Sequence, residues 1–160
     1  MFKKIMKDER GLSLVELLAV VVIMAVIAGI GAVAITGVIQ RNREDAAVSS
    51  LQNLTAAANL YQTSNVGDPD KSIPASGNKV TGQTLLDEGF ITSIGSLVSD
   101  NQAAKIVFNV VDGKLKVTVD GDVFKAGSKQ NKPMNNMSED TVAKLTRKQF
   151  FEDGIGTTTP

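Results

Sequence analysis

The sequence predicts an α+β protein, in which a long N-terminal helix leads into a small antiparallel sheet and a short C-terminal helix. Three observations support this prediction. Residues 17–40 carry no charge. Apolar residues then recur every three or four positions as far as Tyr61, which is typical of an amphipathic helix. Further along, Asp112-Gly113 separates two runs of alternating apolar residues, which is typical of a β-hairpin.

The composition restricts the classes of function. The chain has 160 residues, 17 basic and 17 acidic, and neither Cys nor His. Without Cys and His there are no disulfides, no Ser-His-Asp or Cys-His catalysis, and none of the usual Cys/His zinc sites. The charge balance does not indicate a nucleic acid or an acidic ligand. We therefore predict no catalytic residue, no cofactor and no metal, and a protein that is not an enzyme.

The uncharged segment is long enough to cross a membrane. As a helix, residues 17–40 would span roughly 36 Å, and the hydrocarbon core of a bilayer is about 30 Å thick. Gly29, Gly31 and Gly37 interrupt the apolar residues. A membrane helix tolerates such glycines, which permit close helix approach or local unwinding. We predict a membrane-spanning helix here.

A basic leader precedes this helix. Lys3, Lys4, Lys7 and Arg10 predict a cytoplasmic N-terminus and an extracytoplasmic globular part. An ordinary secretory signal peptide is one alternative, but it has an apolar stretch of about 7–15 residues with a cleavage site after it. The apolar segment here is longer, and its distinctive junction, at Gly11, precedes it. A plain signal anchor is a second alternative.

The junction itself, Gly-Leu-Ser-Leu-Val-Glu at residues 11–16, with the apolar helix behind it, resembles the prepilin peptidase site of type IV pilins and pseudopilins. The resemblance implies that Gly11 ends the leader and that Leu12 becomes the N-methylated mature N-terminus. It also implies that Glu16 assists assembly by pairing with the N-terminal amine of a neighbouring subunit. Leu12 stands where the family usually has Phe, and the helix lacks the proline that many pilins carry midway.

A lone carboxylate near hydrocarbon is costly, by several kcal/mol at the middle of a membrane helix. Glu16 lies near the start of the helix, where the cost is smaller, and a nearby cation would reduce it. Cleavage after Gly11 would create such a cation, the amine of Leu12. The alternative interpretation is an interfacial acid that reaches the lipid headgroups.

The second half of the long helix is predicted to support a globular head. Its apolar residues fall on one face: Ala47, Leu51, Leu54, Ala58 and Tyr61. Because residues 40–65 contain neither Pro nor Gly, we predict one continuous helix of roughly 50 residues, with Gly67 as its C-terminal cap.

The sheet is predicted to have about three strands. The Asp112-Gly113 turn pairs Val110 with Leu115, Phe108 with Val117, and Ile106 with Val119. A second turn at Asp120-Gly121 would pair Val117 with Phe124 and complete a meander. Residues 127–136 are predicted to form a polar loop. Ser138 is expected to cap a C-terminal helix from Glu139 to about Gln149.

Two sets of charged residues are candidate binding sites. The acidic set is Asp112, Asp120 and Asp122, and the basic set is Lys114, Lys116 and Lys125. The aspartates lack EF-hand spacing, and ordinary turn chemistry explains them better than calcium. The lysines would suit DNA phosphates, but a solvated sheet face explains them better, because no aromatic residues alternate with them to stack on bases.

The predicted organisation is a leader at residues 1–11, a transmembrane and polymerisation helix at 12–40, and a globular head at 41–160. By resemblance, the chain would be a structural subunit of a type IV pilus, and the lack of Cys favours a Gram-positive type. Its partners would be other pilin subunits, prepilin peptidase, the inner-membrane assembly platform and the cytoplasmic membrane. Alternatives are a pseudopilin of a type II secretion or competence DNA-uptake system, and a membrane-anchored receptor or enzyme.

Overall fold

The computed structural model describes residues 2–68, 70–73, 79–95 and 99–155, with side chains from residue 14 onwards other than that of Asp100. The chain divides into two compact units, Met1–Ile39 and Gln40–Pro160. Residues 2–39 of the first are helical, and the second combines helices with antiparallel strands. The predicted α+β class is confirmed.

Helix α1 spans Phe2–Ser64. It is unbroken at all three glycines of the apolar segment, so the local unwinding that these residues permit does not occur. The helix ends where predicted, because Gly67 adopts a φ of +92°, a left-handed conformation that glycine reaches at no steric cost. The amide of Asn65 still donates to the carbonyl of Tyr61 at 3.1 Å.

The main sheet has four antiparallel strands in the order β1-β2-β3-β6. These are β1 (Val80–Thr81), β2 (Ile106–Val111), β3 (Lys114–Val119) and β6 (Met134–Ser138). The β2–β3 register is the predicted one throughout. Asp112 and Gly113 both have positive φ, 54° and 71°, as a type I′ hairpin turn requires.

The predicted third strand was wrong. β3 pairs with β6, so Val117 lies opposite Met137 and not, as predicted, opposite Phe124. β4 (Lys125–Ala126) and β5 (Lys129–Gln130) form a separate two-stranded hairpin. The loop predicted at residues 127–136 is therefore wrong in part, because β5 and the start of β6 lie within it. The Phe124 amide donates instead to the Asn131 side chain at 2.8 Å, so this segment closes a loop and does not extend the sheet.

The C-terminal helix begins as predicted and ends early. Ser138 caps α3 (Glu139–Ala143), accepting from the Thr141 amide at 3.3 Å. A π-helical turn follows at Gln149–Asp153. The break has a local cause: Thr146 and Gln149 each accept a hydrogen bond from the other's backbone amide, at 3.1 and 3.4 Å. This capping box starts a new helical turn. Two short helices lie earlier in the chain, α2 (Gly82–Asp87) and a 3-10 helix at Asp100–Lys105.

The core of the second unit lies between α1 and the inner face of the sheet. All five residues of the predicted apolar stripe are buried, none more than 3% exposed. They belong to the same cluster as Ile106, Phe108 and Val117 of the sheet. Phe124 and Phe150 add aromatic packing, with ring centroids 5.5 Å apart.

Candidate functional site

Helix α1 carries the N-terminal motif. Gly11, Leu12 and Glu16 all lie within it. The side chains of residues 1–13 are outside the described part of the structure, so the predicted roles of Gly11 and Leu12 remain predictions. Glu16 is exposed. Leu12 and Glu16 are four residues apart, a spacing that places them on one face of a helix.

The apolar segment behind the motif is uncovered. Between residues 14 and 39, sixteen large apolar side chains are 45% to 76% exposed. The helix is long and apolar enough to cross a membrane, with a mean hydropathy of 2.9 over its most apolar window. That criterion rests on length and composition alone. Water is a poor solvent for such a surface, which calls for lipid or protein to cover it.

Three glycines make parts of this surface flat. A Cβ added at Gly29, Gly31 or Gly37 would meet nothing within 4 Å. These positions therefore leave room for another helix to approach the backbone closely.

The remaining candidate residues are dispersed among turns and two sheets. Asp112 and Asp122 occupy turn positions with φ of 54° and 62°. In the described part of the chain, no group of three or more acidic side chains could hold a metal ion. Lys114 and Lys116 alternate along β3, whereas Lys125 lies in the separate β4–β5 hairpin, so the three lysines do not form one strand patch.

A charged cluster at the start of the second unit escaped prediction. The side chain of Glu44 is only 6% exposed, and its Oε1 lies 3.1 Å from Lys129 Nζ. Gln40 Nε2 donates to the same oxygen at 2.9 Å and to the Ala126 carbonyl at 2.7 Å. Gln40 lies one helical turn before Glu44, but Ala126 and Lys129 lie more than 80 positions further along the chain, so no local pattern could have indicated the cluster.

The ionisation of Glu44 reflects these contacts. Burial raises its pKa, but the hydrogen bonds from Gln40 and Lys129 and the positive charges of Lys129 and Arg147 outweigh burial and bring the pKa below its ordinary value. Hydrogen bonds to Glu152 and Glu44 raise the pKa of Lys129. Both groups are therefore held in their charged forms at neutral pH.

Comparison with known proteins identifies the motif and nothing further along the chain. Residues 6–32 match the family model described as the prokaryotic N-terminal methylation motif. No curated protein and no solved structure matches the chain significantly. The match covers the junction, Glu16 and about two thirds of the apolar segment. The chain therefore carries, at the start of its long apolar helix, the N-terminal methylation motif that forms the class III signal peptide of type IV pilins.

Proposed function

We propose that this chain is a structural subunit of a type IV pilus. Prepilin peptidase cuts after Gly11 and methylates Leu12, and the mature chain polymerises through α1 into an extracellular filament for adhesion, motility or biofilm formation. In this proposal residues 1–11 are the leader, 12–40 the polymerisation helix and 41–160 the head. The observation that carries the proposal is the methylation motif at the start of an uncovered apolar helix.

The uncovered surface supports a helix with two successive environments. Burying a large apolar side chain is worth about 1.5–3 kcal/mol, so covering sixteen half-exposed ones gains on the order of 15 kcal/mol. Lipid provides that cover before assembly. Neighbouring helices provide it in the filament, where the three glycines permit close contacts.

Glu16 has a distinct role in the transfer between these environments. Its carboxylate lies about three and a half helical turns before the middle of the apolar segment, near one face of the bilayer. In the assembling filament it pairs with the N-terminal amine of the Leu12 of a neighbouring subunit. This pairing favours one helix register over others, because a mismatched register leaves both charges unpaired in an apolar environment.

The location follows from the basic leader. The four basic residues before Gly11 favour a cytoplasmic N-terminus, so the precursor is a single-pass protein of the cytoplasmic membrane. The assembly platform there is the expected partner for extraction into the filament.

Mass spectrometry of the protein from its native cells tests this proposal. We expect a mature N-terminal peptide that starts at Leu12 with one methyl group on its amine, and the same peptide from sheared surface filaments. A mature protein that starts at Met1, or one cut after the apolar segment, would exclude the pilus subunit. Processed chains absent from sheared filaments would favour the pseudopilin alternative.

A further inference from the structure

Glu44 is a buried acid that the proposed filament role does not use. Removing a carboxylate from water costs several kcal/mol unless partners compensate. Here two partners are provided, the carboxamide of Gln40 at 2.9 Å and the ammonium of Lys129 at 3.1 Å. A surface helix needs no such arrangement to remain folded, so the cluster requires another explanation.

The partners connect three elements. Gln40 also donates to the carbonyl of Ala126 in β4 at 2.7 Å. Lys129 of β5 reaches both Glu44 and, at 2.6 Å, Glu152 of the π-helical turn. The charged groups therefore join α1 to the β4–β5 hairpin and to the C-terminal turn.

The hairpin turn fits closely against the helix. Gly127 has a φ of +61°, and a Cβ built on it would collide with the Gln40 carboxamide. The guanidinium of Arg43 lies 3.4 Å from the same position. The positive φ favours glycine here, and any larger residue would also displace the Gln40 carboxamide from its position against the turn.

We propose that Gln40, Glu44, Lys129 and Glu152 form a clasp that holds the β4–β5 hairpin against the first turns of the second unit, and that protonation of Glu44 opens it. A neutral Glu44 loses the ion pair with Lys129. Lys129 then keeps its ion pair with Glu152. The side chain of Glu152 is 46% exposed, and an ion pair that is open to water contributes little to stability.

The charges around Glu44 determine the direction of the effect. Lys129 and Arg147 both favour its ionised form, and Arg147 also lies 3.8 Å from Asp45. Because the folded-state pKa of Glu44 is below its unfolded value, the clasp contributes fully above about pH 4.3. Its contribution is lost as the pH falls through the folded-state pKa. Acid therefore opens the clasp, and alkali does not act through Glu44.

Hydrogen exchange of the full-length protein in detergent micelles at pH 7 tests the clasp. Glu44→Gln keeps the size of the side chain and an acceptor for Gln40 but removes the charge. We expect amide protection of residues 125–130 to fall about tenfold, the equivalent of one charge-assisted hydrogen bond, with β2 and β3 unchanged. The matched control is Asp45→Asn, which removes the adjacent, 62% exposed acid and should leave the hairpin protected.

Unchanged hairpin protection in Glu44→Gln would overturn the proposal, and so would an equal loss of protection across β2 and β3, because the effect would then not be local. The second part of the experiment repeats the hydrogen exchange at acidic pH, with protection factors corrected for the intrinsic exchange rate. Wild type and Glu152→Gln should lose hairpin protection below about pH 4.3, whereas Glu44→Gln should have low protection at both pH values. Acid-dependent opening that persists in Glu44→Gln would refute a role for Glu44.

Discussion

Both the oxygen and the nitrogen of the Asn131 carboxamide form hydrogen bonds in the core of the second unit. Asn131 is 4% exposed. Its Oδ1 accepts from the amide of Phe124 at 2.8 Å, and its Nδ2 donates to the carbonyls of Asp120 and Lys132 at 2.8 and 2.9 Å. One side chain thus closes the loop between β3 and β6 and fixes the backbone of Phe124, whose ring packs against Phe150.

Replacing Asn131 by Ala should therefore destabilise the second unit strongly. The substitution leaves the buried amide of Phe124 without its acceptor, and we expect the free energy of unfolding to fall by about 2–3 kcal/mol. Denaturant titration of the full-length protein in micelles measures this change. Asn135→Ala, at an exposed position of β6, is the control and should change stability by less than about 0.5 kcal/mol. Equal effects of the two substitutions would contradict the assigned role.

Residues of the apolar stripe were predictable, whereas Asn131 and Glu44 were not. The stripe follows from helical periodicity, which requires only neighbours along the chain. The burial of Glu44 depends on a hairpin that also binds Gln40 across 86 positions of sequence. A charged residue beside Arg43 and Asp45 is typical of an exposed helix face, so the neighbouring sequence did not indicate that Glu44 is buried.

At the scale of elements, the hairpin predicted at Asp112-Gly113 is confirmed and the one predicted at Asp120-Gly121 is wrong. The two predictions depended on different sequence patterns. The β2–β3 pairing depends on a two-residue turn and strict alternation, both local. In β6 the buried residues are Met134 and Met137, three positions apart. The register of β3 with β6 shifts between Val117 and Val119, and Asn136 adopts a φ of +50°. This irregularity removes the period-two pattern by which a strand is recognised.

Asn136 should tolerate a β-branched residue poorly, whereas the neighbouring Asn135 should tolerate it well. A β-branched residue is strained at positive φ, and we expect Asn136→Val to lower the free energy of unfolding by about 1–2 kcal/mol. Asn136→Gly should be close to neutral, because glycine adopts this conformation freely. The control is Asn135→Val, also exposed on β6 but without the positive φ, where valine suits a strand. Thermal unfolding of all three variants decides the matter, and equal destabilisation by both valines would argue against strain at Asn136.

The whole molecule combines two opposite patterns of burial. The second unit has a closed core in which the sheet residues and the α1 stripe are shielded from water. Between residues 14 and 39 of the first unit, every residue is exposed except the partly buried Gly31. The sequence predicted both patterns, since an uncharged segment and an amphipathic one are recognisable without a structure. In the proposed filament, helices of neighbouring subunits cover the first unit, and Glu16 takes part in that contact.

Glu16 should be dispensable for processing and necessary for polymerisation. Its partner in the proposed filament is the amine that cleavage after Gly11 creates, so Glu16→Gln removes one charge of a pair that forms only between subunits. We expect the mature N-terminus at Leu12 to persist and the yield of sheared filaments to fall at least about tenfold, since a lost interfacial ion pair costs more than about 1.4 kcal/mol per subunit. The matched control is Glu9→Gln, which removes an acid that cleavage discards with the leader and should leave filament yield unchanged. Normal filaments built from Glu16→Gln alone would show that the carboxylate only reaches the lipid headgroups, and failure of that variant to be cleaved would place Glu16 in recognition by the peptidase instead.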